Sequence, residues 1–402
     1  MTRRPPSPGL EYRRPGYPRP PGPSGPESGQ SDWAVVGGWL FTGLEELTSD
    51  LAALDSTGIW VVVIPFDSPP TCARFAVVEA APAPAALFWA PAPQRGGPTA
   101  SPPIRLTWSS SLSRLQYIGA AQELRQAIAA GDYYQVNLCR RLSAALPPHF
   151  ALTTLAKYVT AINPAPHAAV VELPAAGLHV VCASPERFLA RDGDVVMSEP
   201  IKGTASTASQ LGPKDTAENV MIVDLMRNDL GRVCQYGSVT VPSLCRVESH
   251  PGLVHLVSTV AGRLRSGAGW ADLLAATFPP GSVTGAPKVA ALKSIARLES
   301  VPRGLYCGAI GWVDADRRCG DLNVAIRTFW TDGGRLHLGT GAGITWGSDP
   351  EAEWLETELK VARLMEAADQ GVSECHDDRS DFRRPASARG PGLDQWFPEN
   401  RG

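Results

Sequence analysis

The chain has 402 residues, of which 44% are hydrophobic and 19% charged, with a formal net charge of −3. This fits a globular protein of one large or two ordinary domains and excludes a general cationic surface for nucleic acid. No apolar run reaches the ~18 residues of a membrane-spanning helix. The eight cysteines form no C-x-x-C pair, which argues against a zinc or redox motif and for reduced thiols in the cytoplasm.

Residues 1–30 are dominated by Pro, Gly, Arg and Ser and read as a disordered tail with no apolar core of a secretory signal. An N-terminal region follows over 31–115, in which Ile59–Phe66 has the length of a buried strand. The Pro/Ala-rich stretch 81–103 reads as a long surface loop. The main body is expected over 116–370, opening with a helix at Leu115–Ala130 that stops at Gly131. HVVCA and DVVMSEP are β-branched and strand-like, while ENVMIVDLMRNDL, APKVAALKSIARLE and PEAEWLETELKVARLMEAA carry helical periodicity. LYCGAIGWV, LNVAIRTFW and RLHLGTGAGI succeed one another with short turns, which argues for antiparallel or mixed sheets and an α+β class. Residues 371–402 are charged, contain Pro and Gly, and read as a second disordered tail.

Several constellations could carry chemistry. Asp215 and Glu218 have capping-box spacing, with Asp215 as the expected N-cap. Ser348–Glu351 is a second capping signature, and Glu353, Glu356 and Lys360 beyond it share one helical face. Each is either a solvated helix face or half of a hard-metal site, since Mg2+ takes one or two carboxylates plus water and substrate oxygens. Gly281–Lys288 leads into a helix and can seat a carboxylate on backbone N–H groups, but it lacks P-loop spacing. The glycines of Gly339–Gly343 allow close approach, either of a ligand or of another strand. Glu186 lies in the turn Ser184–Phe188, and Lys202 follows sixteen positions later between Ile201 and Gly203. A desolvated lysine loses its proton more readily and becomes a nucleophile, and Glu186 could be its acid partner. His255 stands in an apolar run where a core histidine is the ordinary occupant. Arg327, among apolar neighbours, needs an anion, and a substrate carboxylate would supply one.

SPERFL, PIKGT, AENVMIVDLMRNDLGRV, HLVSTVAG, FPPGSVTGAPK, YCGAIGW, AIRT, GAGI and the run Glu353–Lys360 occur in this order between Gly131 and Ala367. Together they resemble the chorismate-utilising enzymes: anthranilate synthase component I, aminodeoxychorismate synthase component I, and the isochorismate and salicylate synthases. The resemblance implies an α+β fold with a large mixed or antiparallel two-sheet core flanked by helices. It also implies Mg2+ held by Glu218 and Glu356, with Asp215 and Glu353 in support. Ser282, Tyr306, Arg327, Gly341, Ala342, Gly343 and Lys360 would position chorismate, and His255 would lie near its C4 region or enolpyruvyl group.

Two positions discriminate within the family. Gln135 stands where hydroxylating members carry a water-activating lysine, and Lys202 stands where the anthranilate branch has a small residue. The first disfavours a hydroxylating member, and the second marks the aminodeoxychorismate branch, which the resemblance ties to 4-aminobenzoate and folate biosynthesis. There Lys202 would attack C2 of chorismate while Glu186 protonates the leaving C4 hydroxyl, and ammonia would come from a partner glutaminase. The loop Ala205–Ser209 departs from the family pattern by lacking an arginine. The alternatives are anthranilate synthase component I, a non-catalytic chorismate-binding module and a Mg2+-dependent hydrolase.

Overall fold

The computed structural model describes residues 32–81, 105–147, 150–250 and 253–377. The expected tail 1–30 and most of the expected loop 81–103 lie outside the described residues.

Strands β1 (Trp33–Val36), β2 (Trp39–Thr48), β3 (Ile59–Ile64) and β4 (Thr71–Ala80) come first. After β5 (Ser109–Ser110), helix α1 (Arg114–Ala130) begins on a Ser113/Gln116 capping box and ends at Gly131, whose φ of 90° is the left-handed conformation of a C-terminal glycine. Then come β6 (Gln135–Ala145), α2 (Leu152–Ile162), β7 (His167–Leu173), β8 (Leu178–Ser184), β9 (Arg187–Asp192), β10 (Val195–Glu199) and β11 (Ile201–Ala205). Helix α3 (Pro213–Gly231) is followed by β12 (Thr240–His250), β13 (Leu253–Arg263) and α4 (Trp270–Thr277). The chain closes with β14 (Gly285–Ala286), α5 (Lys288–Leu298), β15 (Ala309–Asp314), β16 (Cys319–Val324), β17 (Thr328–Asp332), β18 (Arg335–Thr345) and α6 (Pro350–Asp377).

Among the described residues every strand pairing is antiparallel. The ladder runs β6–β18–β17–β8–β7–β1–β2–β4–β3–β15–β16–β9–β10–β13–β12, with β11 also on β13. It turns back on itself, so that Val171, Val180 and Cys182 of one half share a core with Leu189, Val196, Ile310 and Leu322 of the other. The N-terminal strands are members of this ladder rather than a separate unit, because β1 pairs with β7 and β3 with β15.

Helices cover the outer faces. Leu155 and Val159 of α2 and Val361 and Leu364 of α6 pack on Val181, Phe329 and Leu338. Val223, Met226 and Leu230 of α3 join the first core beside Val260 of β13 and Leu273 of α4. Each such fully buried aliphatic side chain contributes roughly 1.5–3 kcal/mol.

The body does not stop at Gln370, as composition suggested. Helix α6 runs on to Asp377, and Val372 is buried. Gly371 marks a close crossing there: a Cβ at this position would lie 3.2 Å from Leu155 Cα. Its charged sequence hid a helix stabilised by packing against α2.

Candidate active site

Glu186 occupies the turn between β8 and β9. Ser184 Oγ accepts from the Glu186 backbone N–H at 3.2 Å and donates to the Val324 carbonyl at 2.6 Å, which fixes the turn against the end of β16. The carboxyl is buried, at 4% residue exposure, and burial lifts it to about 7. Hydrogen bonds from the Ser282 hydroxyl and the Ile201 N–H and the charge of Lys202 oppose that rise.

Lys202 projects from β11, whose register on β13 sets Thr204 opposite His255. Its neighbour Gly203 sits at φ 78°, and a Cβ there would lie 2.8 Å from Asp215 Cβ. Glycine therefore lets the first turn of α3 descend onto β11, which brings Glu218 to Lys202. Burial pushes the Lys202 ammonium below its usual range, while Glu218, Glu186 and Glu356 pull it back up and Lys360 lowers it further. The site thus holds an amine whose ammonium is weakened by burial within electrostatic reach of a carboxyl that keeps its proton, a combination suited to covalent and acid catalysis.

Helix α3 is pinned from below. Asn219, fully buried, donates to the Leu256 carbonyl of β13 at 3.0 Å and accepts from the Ser258 hydroxyl. Asp215 is not the N-cap expected from its spacing. The helix starts one turn earlier, with Gly212 as N-cap, and Asp215 accepts from its N–H at 2.8 Å. Pro213 at the first helical position sets that earlier start. On α6 the second capping signature is confirmed, with Asp349 accepting from Ala352 N–H at 2.9 Å.

The acidic faces of α3 and α6 converge. Burial raises the carboxyls of both Glu218 and Glu353, and the charge of Glu356 adds to each. Lys214 Nζ lies 3.8 Å from Glu218 and 3.9 Å from Glu353, so one ammonium bridges the two helices. Lys360 pairs with Glu356 at 2.7 Å and donates to the Gly341 carbonyl at 2.9 Å. Among the described residues no three carboxylates are grouped closely enough to ligate one ion as they stand. The donor set is nonetheless all carboxylate oxygen, and Glu218 with Glu356 supplies the one or two carboxylates that Mg2+ takes alongside water and substrate. The residues fit a hard divalent cation.

Ser282 lies in a 3-10 turn, Gly281–Val283, buried against α3, where a Cβ on Gly281 would meet Leu225 Cδ2 at 2.7 Å. Lys288 fastens this segment by pairing with Asp229 at 2.6 Å and donating to the Thr277 carbonyl at 2.8 Å. The glycines of β18 make room for the chain itself. A Cβ at Gly339 would strike Tyr306 Cγ at 2.0 Å, one at Gly341 Cys139 Sγ at 2.7 Å, and one at Gly343 the Gln135 amide at 2.7 Å. Gln135 is fully buried, and neither end of its amide has a hydrogen-bond partner among the described residues. Such an amide costs free energy unless something polar meets it.

The other expected residues sit around this centre. His255 is buried at 2% exposure on β13. Ala342 is buried in β18. Tyr306 packs under Gly339 beside Cys139 and Arg303, and burial lifts its hydroxyl well above the usual range. Arg327 adopts a left-handed φ of 52° where the chain leaves β16. Its guanidinium donates to Asn163 at 3.3 Å, and burial, with no opposing carboxylate, lowers its basicity. Among the described residues no hydrogen bond or ion pair joins Tyr306 or Arg327 to Lys202. The motif reading overlooked Lys214 and Asn219. The Lys214–Glu218 spacing of four on a helix was the available signal for the first; nothing local signals the second.

Comparison with known proteins agrees with this picture. The family model for chorismate binding enzymes matches residues 76–366. The chain is 39% identical over 305 residues to anthranilate synthase component 1 1 of Haloarcula marismortui, covering 71% of this chain and 61% of that protein. It is 41% identical over 273 residues to aminodeoxychorismate synthase component 1 of Klebsiella aerogenes, covering 64% and 59%. The chain therefore spans about three fifths of the length of these curated relatives. Anthranilate synthase component I from Streptococcus pneumoniae superposes with a TM-score of 0.63 at 25% identity, over 78% of this chain and 84% of that one. With the fold, the motif order and the family match in agreement, the chain belongs to the chorismate binding enzymes.

Proposed function

We propose that this protein is the amination component of an aminodeoxychorismate synthase, converting chorismate and ammonia to 4-amino-4-deoxychorismate. The observation that carries this reading is the pairing of a burial-weakened Lys202 ammonium with a Glu186 carboxyl raised to about 7.

In this reading the neutral Lys202 amine forms a bond to C2 of chorismate. The two ring π pairs shift and the C4–O bond breaks, and Glu186 gives its proton to the departing hydroxyl, which leaves as water. Ammonia then bonds to C4, the π pairs shift back, the C2–N bond breaks to release the Lys202 amine, and the ammonium formed at C4 gives a proton back to the Glu186 carboxylate. Splitting one displacement into two lowers each barrier. Ser282 and the Ile201 N–H hold the Glu186 carboxyl in place for both halves. Arg327 and Lys360 supply cationic charge for the substrate carboxylates, and the unpartnered Gln135 amide is free to meet the incoming nucleophile or its hydration shell. Mg2+ on Glu218 and Glu356 would orient the ring carboxylate and stabilise charge developing on it. A partner glutaminase would deliver the ammonia.

The second reading, anthranilate synthase component I, is favoured by relatives such as the Haloarcula marismortui protein. The two separate in one assay. Purified protein with chorismate, Mg2+ and an ammonium salt is expected to yield 4-aminobenzoate only when an aminodeoxychorismate lyase is added. Anthranilate formed without any lyase would overturn the proposal. Among the described residues no helix is long and apolar enough to cross a membrane.

A further inference from the structure

Lys214 stands at an unusual place. It is the second residue of α3, and the partial positive charge of a helix N-terminus disfavours a cation there. Its side chain is 62% exposed, so most of it meets solvent. That ammonium lies within 4 Å of a carboxylate from each of two helices: Glu218 of α3 at 3.8 Å and Glu353 of α6 at 3.9 Å. The Glu353 side chain is 7% exposed and that of Glu218 20%, so neither can rely on water alone to spread its charge. The other lysine at these helices, Lys360, is engaged with Glu356 and the Gly341 carbonyl instead.

A lysine opposed by its own helix dipole, long enough to leave, and touching both acidic helices has the attributes of a replaceable counter-ion. We infer that Lys214 is a built-in stand-in for the divalent cation: it bridges Glu218 and Glu353 in the metal-free chain and swings into solvent when the metal enters between α3 and α6. This rests on the reading that Glu218 and Glu356 hold Mg2+. It goes beyond that reading by making metal uptake an exchange of one cation for another. The carboxylate faces stay together between turnovers, and apparent metal affinity is held below what the carboxylates alone would give.

The test compares wild type, Lys214→Met and Glu218→Gln in full-length protein. Free Mn2+ is titrated by electron paramagnetic resonance, and thermal unfolding is followed with and without saturating Mg2+. Methionine keeps the stem and removes the charge. Exposed ion pairs are individually weak, so losing the competitor is expected to tighten Mn2+ binding roughly two- to fivefold. Metal-free Lys214→Met should melt below wild type, and the Mg2+-saturated forms should melt together, because Lys214 has already left the saturated wild type. If Mn2+ affinity is unchanged, or if the variant melts lower by the same amount with and without Mg2+, Lys214 is an ordinary surface ion pair and the inference fails. The metal reading itself fails separately, if Glu218→Gln binds Mn2+ as wild type does.

Discussion

Replacing Glu186 by Gln tests the electrostatics of the centre while leaving its shape nearly unchanged. The residue is 4% exposed, and burial moves its carboxyl from 4.5 to about 7. Between those values the folded chain keeps a proton that the unfolded chain has released, so stability falls as pH rises through that window. At 1.36 kcal/mol per pH unit, the wild-type carboxyl costs the fold ~3 kcal/mol once the pH is above the folded value. Glutamine does not titrate, so the variant escapes this cost. Urea unfolding of both proteins at pH 5 and pH 8 should show the variant gaining ~2–3 kcal/mol on wild type between the two. The same Glu186→Gln protein should be nearly inactive, since it has no proton to give the leaving hydroxyl. A stability difference that does not change with pH would refute the reasoning, because it would mean that the carboxyl ionises normally.

Gly203→Ala places a side chain at φ 78° and 2.8 Å from Asp215 Cβ. A cost of ~1–3 kcal/mol in thermal or urea unfolding is expected, with activity falling further as α3 lifts from β11; an unchanged midpoint and rate would contradict this. Asn219→Ala strips the Leu256 carbonyl and the Ser258 hydroxyl of their buried partner. It should destabilise by ~1–3 kcal/mol in urea, and a neutral result would mean water replaces the amide without penalty. Gly371→Leu forces atoms into a gap where a Cβ already meets Leu155 Cα at 3.2 Å. Overpacking of ~1–3 kcal/mol is expected there, and a neutral melting point would mean α2 and α6 part freely.

Local chemistry was legible where it is decided locally. Gly131 ends α1 because only glycine adopts its φ of 90° without strain, and the β-branched runs became β8 and β10. The expected antiparallel two-sheet core was realised as one ladder folded back on itself. The order of its strands could not be read, because pairing such as β1 with β7 joins residues far apart in the chain. Capping misled at Asp215, since both Pro213 and Asp215 offer starts to the same helix and Asp215 serves as the residue that reaches back. The end of α6 was missed because its last turns are stabilised by α2 rather than by their own pattern. At the site, Lys202 and Glu186 stood out from their neighbours, and their juxtaposition is electrostatically plain in the fold. The bridging role of Lys214 depends on where α6 lies, which no helix-periodicity argument reaches.

The claim on which the proposed chemistry turns is that Lys202 becomes bonded to the substrate. Wild-type protein and Lys202→Met would be incubated with chorismate and Mg2+ but no ammonia, quenched, digested and examined by mass spectrometry. The account predicts a chorismate-minus-water adduct on Lys202 that vanishes when an ammonium salt is added before the quench, no adduct in Lys202→Met, and no product from that variant. Product formation by Lys202→Met at the wild-type rate would contradict the account.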